Sequence, residues 1–580
     1  MTRKTTDVHN ALVLQGGGAL GAYEAGTYQE IFKHALRKNP DGPVFDIVAG
    51  TSIGAINSSV LVGHYLRNGK SWEGSAEKLL EFWDGLSTPT FADAAIGHNP
   101  AVSSWWDYLH SANPNIADAE SARRFWSIFE FSFTTMGVPK MYRPVPEWGS
   151  KFLNPFADFL PWWRYDYTPL RKYLAEFVDF PIKTSFEKGQ PRLLLTSVDV
   201  QDYTTAVVFD SYEKLHPAFD GNQLPGKDES SRESGRWYSE YGATDNRHVV
   251  YYDGIGPDQV LASALGKYSL NHPRIYDVVS GTDRELWDGG YVSNTPLREM
   301  LVAHRKFWLE HGKINKGNEG SSALVKLPEL EVYIVNLHPS YAKDIPVDKD
   351  LIDNRENDIL FHDRTLIDEM MAYLRNDYVT LALKLVDLAR SRGLSKEVEE
   401  ILKIEAKSIA RTGGQFRFAT YRDIIDGKGN LSKVWRIDRR DSSTATFGKT
   451  TDFTRSSLRT LISEGITDAK VSINRMKILF AVESLIADGL VSAQDGEEMM
   501  RRGRVLLTTG ELFNLSNDEI KTISSRFLKR VSDLVRDPKR RLEFTEPFEE
   551  IMRLLAESAR APESTKRDAE VDKIIHSMTS

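Results

Sequence analysis

Apolar residues in the first seventy positions alternate between short unbroken runs and longer stretches at helical spacing. Residues 11–15 and 45–49 have the pattern of buried strands, and a helical stretch follows each of them, at 22–38 and 52–67. This strand–helix–strand–helix order is typical of a parallel sheet whose strands are connected by helices. The chain is therefore predicted to begin with the core of an α/β domain.

The pattern predicts further parts of this sheet downstream. Two apolar runs within residues 192–210 predict a hairpin, and residues 330–339 predict another inner strand. Residues 433–441 favour a last strand at one edge. Apolar residues recur at helical spacing over 366–393, and the chain beyond residue 451 is helical and charged.

Three stretches interrupt the pattern. Residues 88–167 are rich in proline and aromatic residues and hold six of the twelve tryptophans, which predicts an insertion over the core. Residues 221–247 are polar and are predicted to form a loop. The polar end of the chain, from residue 561, is predicted to fray.

The composition narrows the range of functions. The chain has 74 basic and 82 acidic residues, a net charge of −8, so no nucleic-acid partner is expected. It has no cysteine, which excludes disulfides, cysteine-bound zinc, iron–sulfur clusters and a thiolate nucleophile. The polar N-terminus does not resemble a signal peptide, and no apolar run reaches the roughly 18 residues of a membrane-spanning helix. A cytoplasmic location is expected, with any lipid reached from outside the membrane.

The segment Gly50-Thr51-Ser52-Ile53-Gly54 is the first of three motifs that indicate chemistry. It fits G-x-S-x-G and lies between a predicted strand and a predicted helix, which is the setting of a nucleophile elbow. In such a turn the serine stands on strained backbone at a helix N-terminus, and the two glycines remove side chains that would collide. Ser52 is therefore the candidate nucleophile.

The second motif is the loop from Gly16 to Gly21, GGGALG. A glycine loop before a helix offers backbone N–H groups to an anion. Its spacing also fits the dinucleotide fingerprint, which requires an acidic residue at the end of the second strand. Asp46 lies at the start of that predicted strand, so the sequence disfavours a dinucleotide cofactor.

A serine nucleophile requires a base, and two residues are candidates. His338 follows a predicted strand late in the chain, as the histidine of an α/β-hydrolase does. Asp288, within Asp288-Gly289-Gly290, follows a short apolar run, although this tripeptide is also common turn chemistry. From the residues alone, both candidates stay open.

These three motifs, in this order, resemble the patatin-like phospholipase family over about residues 10–340. The resemblance implies an α/β fold, a patatin-like three-layer core with a mostly parallel sheet, an aromatic-rich insertion and a helical C-terminal region. It implies a dyad in which Ser52 is the nucleophile and Asp288 the proton acceptor, with no metal and no other cofactor. Backbone N–H groups at Gly16 to Gly18 would hold the oxyanion. The implied site comprises the catalytic residues Ser52 and Asp288, the oxyanion loop Gly16, Gly17, Gly18 and Gly21, the elbow glycines Gly50 and Gly54, and Gly289 and Gly290. One departure is Leu20, which stands where many members have a basic residue.

The implied activity is hydrolysis of acyl esters in lipid, of the phospholipase A type, with a lipid or acyl-ester substrate and peripheral membrane contact. Two alternatives stay open: a serine esterase or thioesterase that uses the same dyad on soluble substrates, and a scaffold that keeps the fold without activity. The predicted division is a patatin-like domain at 8–345 with its insertion at 88–167, a helical extension at 346–470 with the edge strand, and a helical region at 471–580 of unassigned role.

Overall fold

The structure is a computed structural model of the chain. It describes residues 8–39, 43–87, 137–146, 163–201, 206–212, 238–241, 248–252, 254–277, 282–315, 327–342, 345–347, 349–404, 420–425, 431–440 and 449–560. Most of the predicted insertion, most of the predicted polar loop and the predicted frayed end lie outside these residues.

The described strands form one large sheet and one two-stranded ribbon. Their bounds are β1 (Val8–Leu14), β2 (Ile47–Thr51), β3 (Arg143–Pro146), β4 (Trp163–Asp166), β5 (Arg192–Asp199), β6 (Ala206–Asp210), β7 (Tyr238–Tyr241), β8 (His248–Tyr252), β9 (Arg274–Asp277), β10 (Thr282–Asp288), β11 (Glu329–Asn336) and β12 (Leu431–Asp438).

The large sheet has the order β12-β11-β1-β2-β5-β6-β8-β7, and β10 pairs with β5 and with β9. The pairs from β12 to β5 are all parallel. β5 and β6 pair antiparallel, which confirms the predicted hairpin. β12 joins β11 at one edge of the described sheet, which confirms the edge strand predicted at 433–441 with slightly earlier bounds.

The described helices connect these strands and then continue beyond β12. None of them combines the length and apolar character needed to cross a membrane. Their bounds are α1 (Gly21–Lys38), α2 (Ile53–Arg67), α3 (Ser75–Leu86), α4 (Thr168–Phe177), α5 (Pro257–Ala264), α6 (Leu297–Asn315), α7 (Lys349–Phe361), α8 (Thr365–Ser391), α9 (Ser395–Leu402), α10 (Tyr421–Ile425), α11 (Arg455–Ala487), α12 (Ala493–Arg502), α13 (Thr509–Phe513), α14 (Asn517–Leu534) and α15 (Pro538–Arg560).

Helices cover both faces of the sheet. Successive side chains of a strand point to opposite faces. On β1, Leu12 and Leu14 accordingly belong to the apolar cluster formed with α1, α2 and α3, whereas Ala11 and Val13 belong to the cluster formed with α6. This three-layer arrangement confirms the predicted α/β fold with a mostly parallel sheet.

The long helix α11 lies directly against α1. A Cβ atom on Gly26 of α1 would overlap the carbonyl of Ile462, and one on Gly465 would overlap the carbonyl of Tyr23, so the two backbones are in close contact. The C-terminal part of α11 packs instead in a second apolar cluster with α12 to α15. The predicted limit at residue 470 therefore lies inside one helix, and the limits at 345 and 470 stay predictions.

Two predicted irregular stretches contain regular structure where the chain is described. β7 lies within the predicted loop 221–247 and pairs antiparallel with β8. The loop prediction was wrong at this point, because β8 supplies hydrogen-bond partners that polar composition does not reveal. Within the predicted insertion, β3 and β4 form the two-stranded ribbon.

Candidate active site

Ser52 occupies a strained turn between β2 and α2. Its φ of 56° and ψ of −123° lie in a region that residues other than glycine rarely adopt. A Cβ atom on Gly50 would overlap the carbonyl of Gly54, and one on Gly54 would overlap the carbonyl of Leu14. The Ser52 N–H donates to the carbonyl of Ser263 at 3.1 Å. The turn therefore requires both glycines, and it presents the serine hydroxyl at the N-terminus of α2.

Asp288 ends β10 beside this turn. The Ser52 hydroxyl donates a hydrogen bond to Asp288 Oδ2 at 2.5 Å, and the Gly290 N–H donates to Oδ1 at 2.7 Å. Gly289 allows the close approach to β5, because a Cβ atom there would overlap the carbonyl of Thr196. Burial raises the pKa of Asp288 to about 6, against the opposing effect of the two hydrogen bonds. At pH 7 the carboxylate is mostly ionised and able to accept the serine proton.

The glycine loop supplies unpaired N–H groups next to Ser52. Within the described part of the chain, the N–H groups of Gly17 and Gly18 donate no hydrogen bond, and both residues line the same cavity as Ser52. The Gly16 N–H is used by the carbonyl of Asn294, and the Gly21 N–H by that of Gly18. Gly18 also has a φ of 58°, which favours glycine. Of the four loop glycines, Gly17 and Gly18 are therefore the ones able to stabilise an oxyanion.

The carbonyl of Gly16 is fixed from two sides. Asn294 Nδ2 donates to it at 3.1 Å, and His338 Nε2 lies 3.1 Å from it. In a trans peptide the carbonyl and the following N–H point in opposite directions. Fixing the Gly16 carbonyl therefore also fixes the orientation of the Gly17 N–H, which belongs to the same peptide unit.

His338 belongs to a buried polar cluster next to the loop, and it lines the same cavity as Ser52. Its Nδ1 lies 3.2 Å from Asp358 Oδ1, and Lys449 Nζ donates to both oxygens of Asp358 at 2.7 Å. Burial lowers the pKa of His338, while the hydrogen bond with Asp358 opposes this effect. Both ring nitrogens of the alternative base candidate thus contact groups other than Ser52. Asn294, Asp358 and Lys449 could not be predicted from the sequence, because only the folded chain brings them to the loop.

The two candidate catalytic side chains open into a cavity of about 310 Å³ with largely apolar walls. Residues from the predicted helical extension complete it, since Asn357 and Phe361 of α7 and the residues just before α11 line one side. A larger cavity of about 660 Å³ lies among the C-terminal helices, but its lining is arginine and aliphatic and contains no nucleophile. The side chains that line the smaller cavity include Met141, Tyr142, Tyr167, Tyr291, Phe361, Thr450, Thr451 and Phe453.

Two other residues weighed in the sequence lie away from the cavity. The Leu20 side chain is buried in the core packed on α1, and it does not line the cavity. Asp46 accepts the Asn10 N–H at 2.8 Å near the start of β1, at the opposite end of that strand from the glycine loop. This position does not suit a ribose-binding carboxylate.

Comparison with known proteins identifies one family. The family model described as patatin-like phospholipase matches residues 12–301, a range that contains the glycine loop, the serine elbow and Asp288. Among solved structures, the chain is similar to the crystal structure of VipD from Legionella pneumophila, with 12% identity, 97% of this chain and 93% of that chain covered, and a TM-score of 0.21. No protein with a curated description matches the chain.

Proposed function

The chain belongs to the patatin-like phospholipase family, and we propose that it is a lipid acyl hydrolase that works through a covalent acyl-serine intermediate on Ser52. Asp288 is the base in this proposal. The observation that carries it is the 2.5 Å hydrogen bond from the Ser52 hydroxyl to Asp288, beside two unpaired backbone N–H groups in one cavity.

Acylation follows from the position of these groups. Ser52 Oγ attacks the carbonyl carbon of the ester, and its proton passes to Asp288. The carbonyl oxygen becomes negatively charged, and the N–H groups of Gly17 and Gly18 stabilise it. When the C–O bond to the alcohol breaks, Asp288 returns the proton to the leaving oxygen, and the acyl group stays on Ser52.

Deacylation uses the same groups in reverse. Asp288 takes a proton from a water molecule, whose oxygen attacks the acyl carbon of the intermediate. The second oxyanion is stabilised as the first one was, and its collapse returns the proton to Ser52 Oγ and releases the free carboxylic acid. A single carboxylate with a pKa of about 6 is suited to both roles, since it exchanges protons readily near neutral pH.

The family and the apolar cavity walls favour a lipid substrate over a small polar ester. Aromatic and methionine side chains around the site provide a dry contact for an acyl chain. The soluble-ester alternative uses the same chemistry, so the substrates must be compared directly.

The experiment measures hydrolysis of a phospholipid, of a neutral acylglycerol and of a short soluble ester by the same preparations. Ser52→Ala should abolish turnover of all three, and Asp288→Asn should lower kcat by about 10²- to 10⁴-fold. Asp283→Asn is the matched control, because it makes the same change at an exposed position of the same strand. Near-normal turnover in Asp288→Asn would rule out this base, and an inactive wild type would favour the scaffold alternative.

A further inference from the structure

We propose that the exposed face of α8 is the surface with which this protein contacts the lipid aggregate that holds its substrate. The face, here called the α8 stripe, comprises Ile367, Met370, Met371, Leu374, Tyr378, Leu381, Leu385 and Leu388. This inference rests on the proposed function, because only an enzyme that acts on lipid needs such a surface beside its cavity.

The α8 stripe is apolar and points away from the rest of the described chain. Apart from the adjacent pair Met370 and Met371, its residues recur every three or four positions over about six turns, so they share one side of the helix. Each side chain is between 42% and 65% exposed. Apolar residues scattered singly over a surface are ordinary, but a continuous row of eight marks a site of interaction.

The opposite side of α8 is the more polar one, although it faces the protein. Only Thr365 and Val379 are buried along the whole helix. Arg436 of β12 donates to the Thr365 hydroxyl at 2.9 Å and to Glu369 at 2.8 Å. A helix that belongs to one folded body normally shows the reverse arrangement, with its apolar side inward. The α8 stripe is therefore suited to an apolar partner outside that body.

The α8 stripe begins at the rim of the candidate active site. Phe361, the last residue of α7, lines the cavity, and its carbonyl accepts hydrogen bonds from Asn294 at 2.8 Å and from Gln15 at 3.2 Å. α8 starts four residues later. Leu360 and Leu366, on either side of this turn, are 53% and 62% exposed. A lipid in contact with this end of the stripe would have a short path to Ser52.

The shape and charge of the face favour a lipid surface over a second helix. The seam of a coiled coil is narrow, whereas the apolar surface near the cavity is two residues wide, at Leu366 with Ile367 and at Met370 with Met371. α8 carries four acidic and three basic residues, so its charge does not select an anionic partner. Apolar contact must supply the binding, and zwitterionic phospholipid is the appropriate probe.

The test measures binding of the protein to phosphatidylcholine vesicles by flotation, in a Ser52→Ala background so that no lipid is consumed. The double variant Met371→Glu/Leu374→Glu places two charges in the wide part of the stripe. We expect it to weaken vesicle binding by at least about tenfold. Lys384→Glu is the matched control, because it changes the net charge of the same helix by the same amount at an exposed position outside the stripe.

Activity separates this inference from the proposed function. With Ser52 intact, the double variant should lose hydrolysis of vesicle lipid by a similar factor and keep hydrolysis of a short soluble ester within about twofold of the wild type. A wild-type protein that hydrolyses neither vesicle lipid nor the soluble ester would instead refute the proposed function. Three results would overturn the inference: unchanged vesicle binding by the double variant, a wild-type dimer that the double variant converts to a monomer, or loss of cooperative unfolding in the double variant. Tyr378→Ser, a milder change in the same row, should weaken binding in the same direction.

Discussion

The two longest helices of the described chain, α8 and α11, place their apolar residues in opposite ways. α11 buries fifteen of its 33 residues, whereas α8 buries two of its 27. Close packing accounts for α11, since Gly26 and Gly465 let its backbone approach α1. The inward side of α8 makes polar contacts with β12 instead. Helical spacing of apolar residues thus predicts a helix, but it does not predict what packs against the apolar side.

Both helices also start at the candidate active site. The residues before α11 line the cavity and contact the glycine loop, where the Ala19 N–H donates to the Thr450 carbonyl at 2.8 Å. The residue before the turn into α8, Phe361, lines the other part of the same wall. One helix therefore joins the site to the folded core, and the other joins it to an exposed apolar face.

Mutation of the connection between α11 and the site should have the strongest consequences. Lys449→Met removes the cation that donates to both oxygens of the buried Asp358 carboxylate, so we expect a loss of about 3–5 kcal/mol in the free energy of unfolding. Because His338 connects Asp358 to the carbonyl of Gly16, the change should also displace the glycine loop and lower kcat by about 10- to 100-fold. Denaturant unfolding and soluble-ester kinetics measure the two effects.

The double variant Lys449→Met/Asp358→Asn is the control for this change. It removes the unpaired charge as well as the cation, so it should recover part of the lost stability. A Lys449→Met protein with wild-type stability would show that the start of α11 is not held by this ion pair.

The same substitution, leucine to alanine, should affect stability differently in α11 and in α8. Leu485 of α11 is 3% exposed, and Leu385 of α8 is 57% exposed. Leu485→Ala should cost about 2–5 kcal/mol of unfolding free energy, because it leaves a cavity in a packed cluster. Leu385→Ala should change it by no more than about 0.5 kcal/mol. Equal losses in the two variants would mean that α8 is covered within the folded chain.

The smallest effect is the pH dependence of the site itself, measured on a soluble ester so that the α8 stripe is not involved. The base must be ionised to accept the serine proton, and burial raises the pKa of Asp288 to about 6. We expect kcat/KM to fall about tenfold for each pH unit below 6 and to level off above it. The Asp288→Asn variant should lack this acid limb, and a flat wild-type profile between about pH 5 and 7 would contradict the assignment.

The sequence predicted the parts of the molecule that depend on local pattern. The sheet core, the hairpin β5–β6, the edge strand β12 and the elbow at Ser52 follow from periodicity and glycine spacing. Asp288 was one of two candidate bases from the residues alone, and the family resemblance favoured it over His338. The place of His338 against Gly16 depends on contacts more than 300 positions apart along the chain. β7 was not predicted, because its sequence is polar and its strand conformation depends on backbone pairing with β8. The outward orientation of α8 could not be predicted either. The spacing of its apolar residues shows that they share one side of the helix, but not whether that side faces the core or the solvent.

Covalent labelling shows whether Ser52 is the nucleophile. The protein is treated with a fluorophosphonate, which reacts with activated serine hydroxyls, and the modified peptide is located by mass spectrometry. We expect one modified residue, Ser52, and no labelling in Ser52→Ala. Undiminished labelling of Ser52→Ala, or modification of a different serine in the wild type, would contradict this expectation.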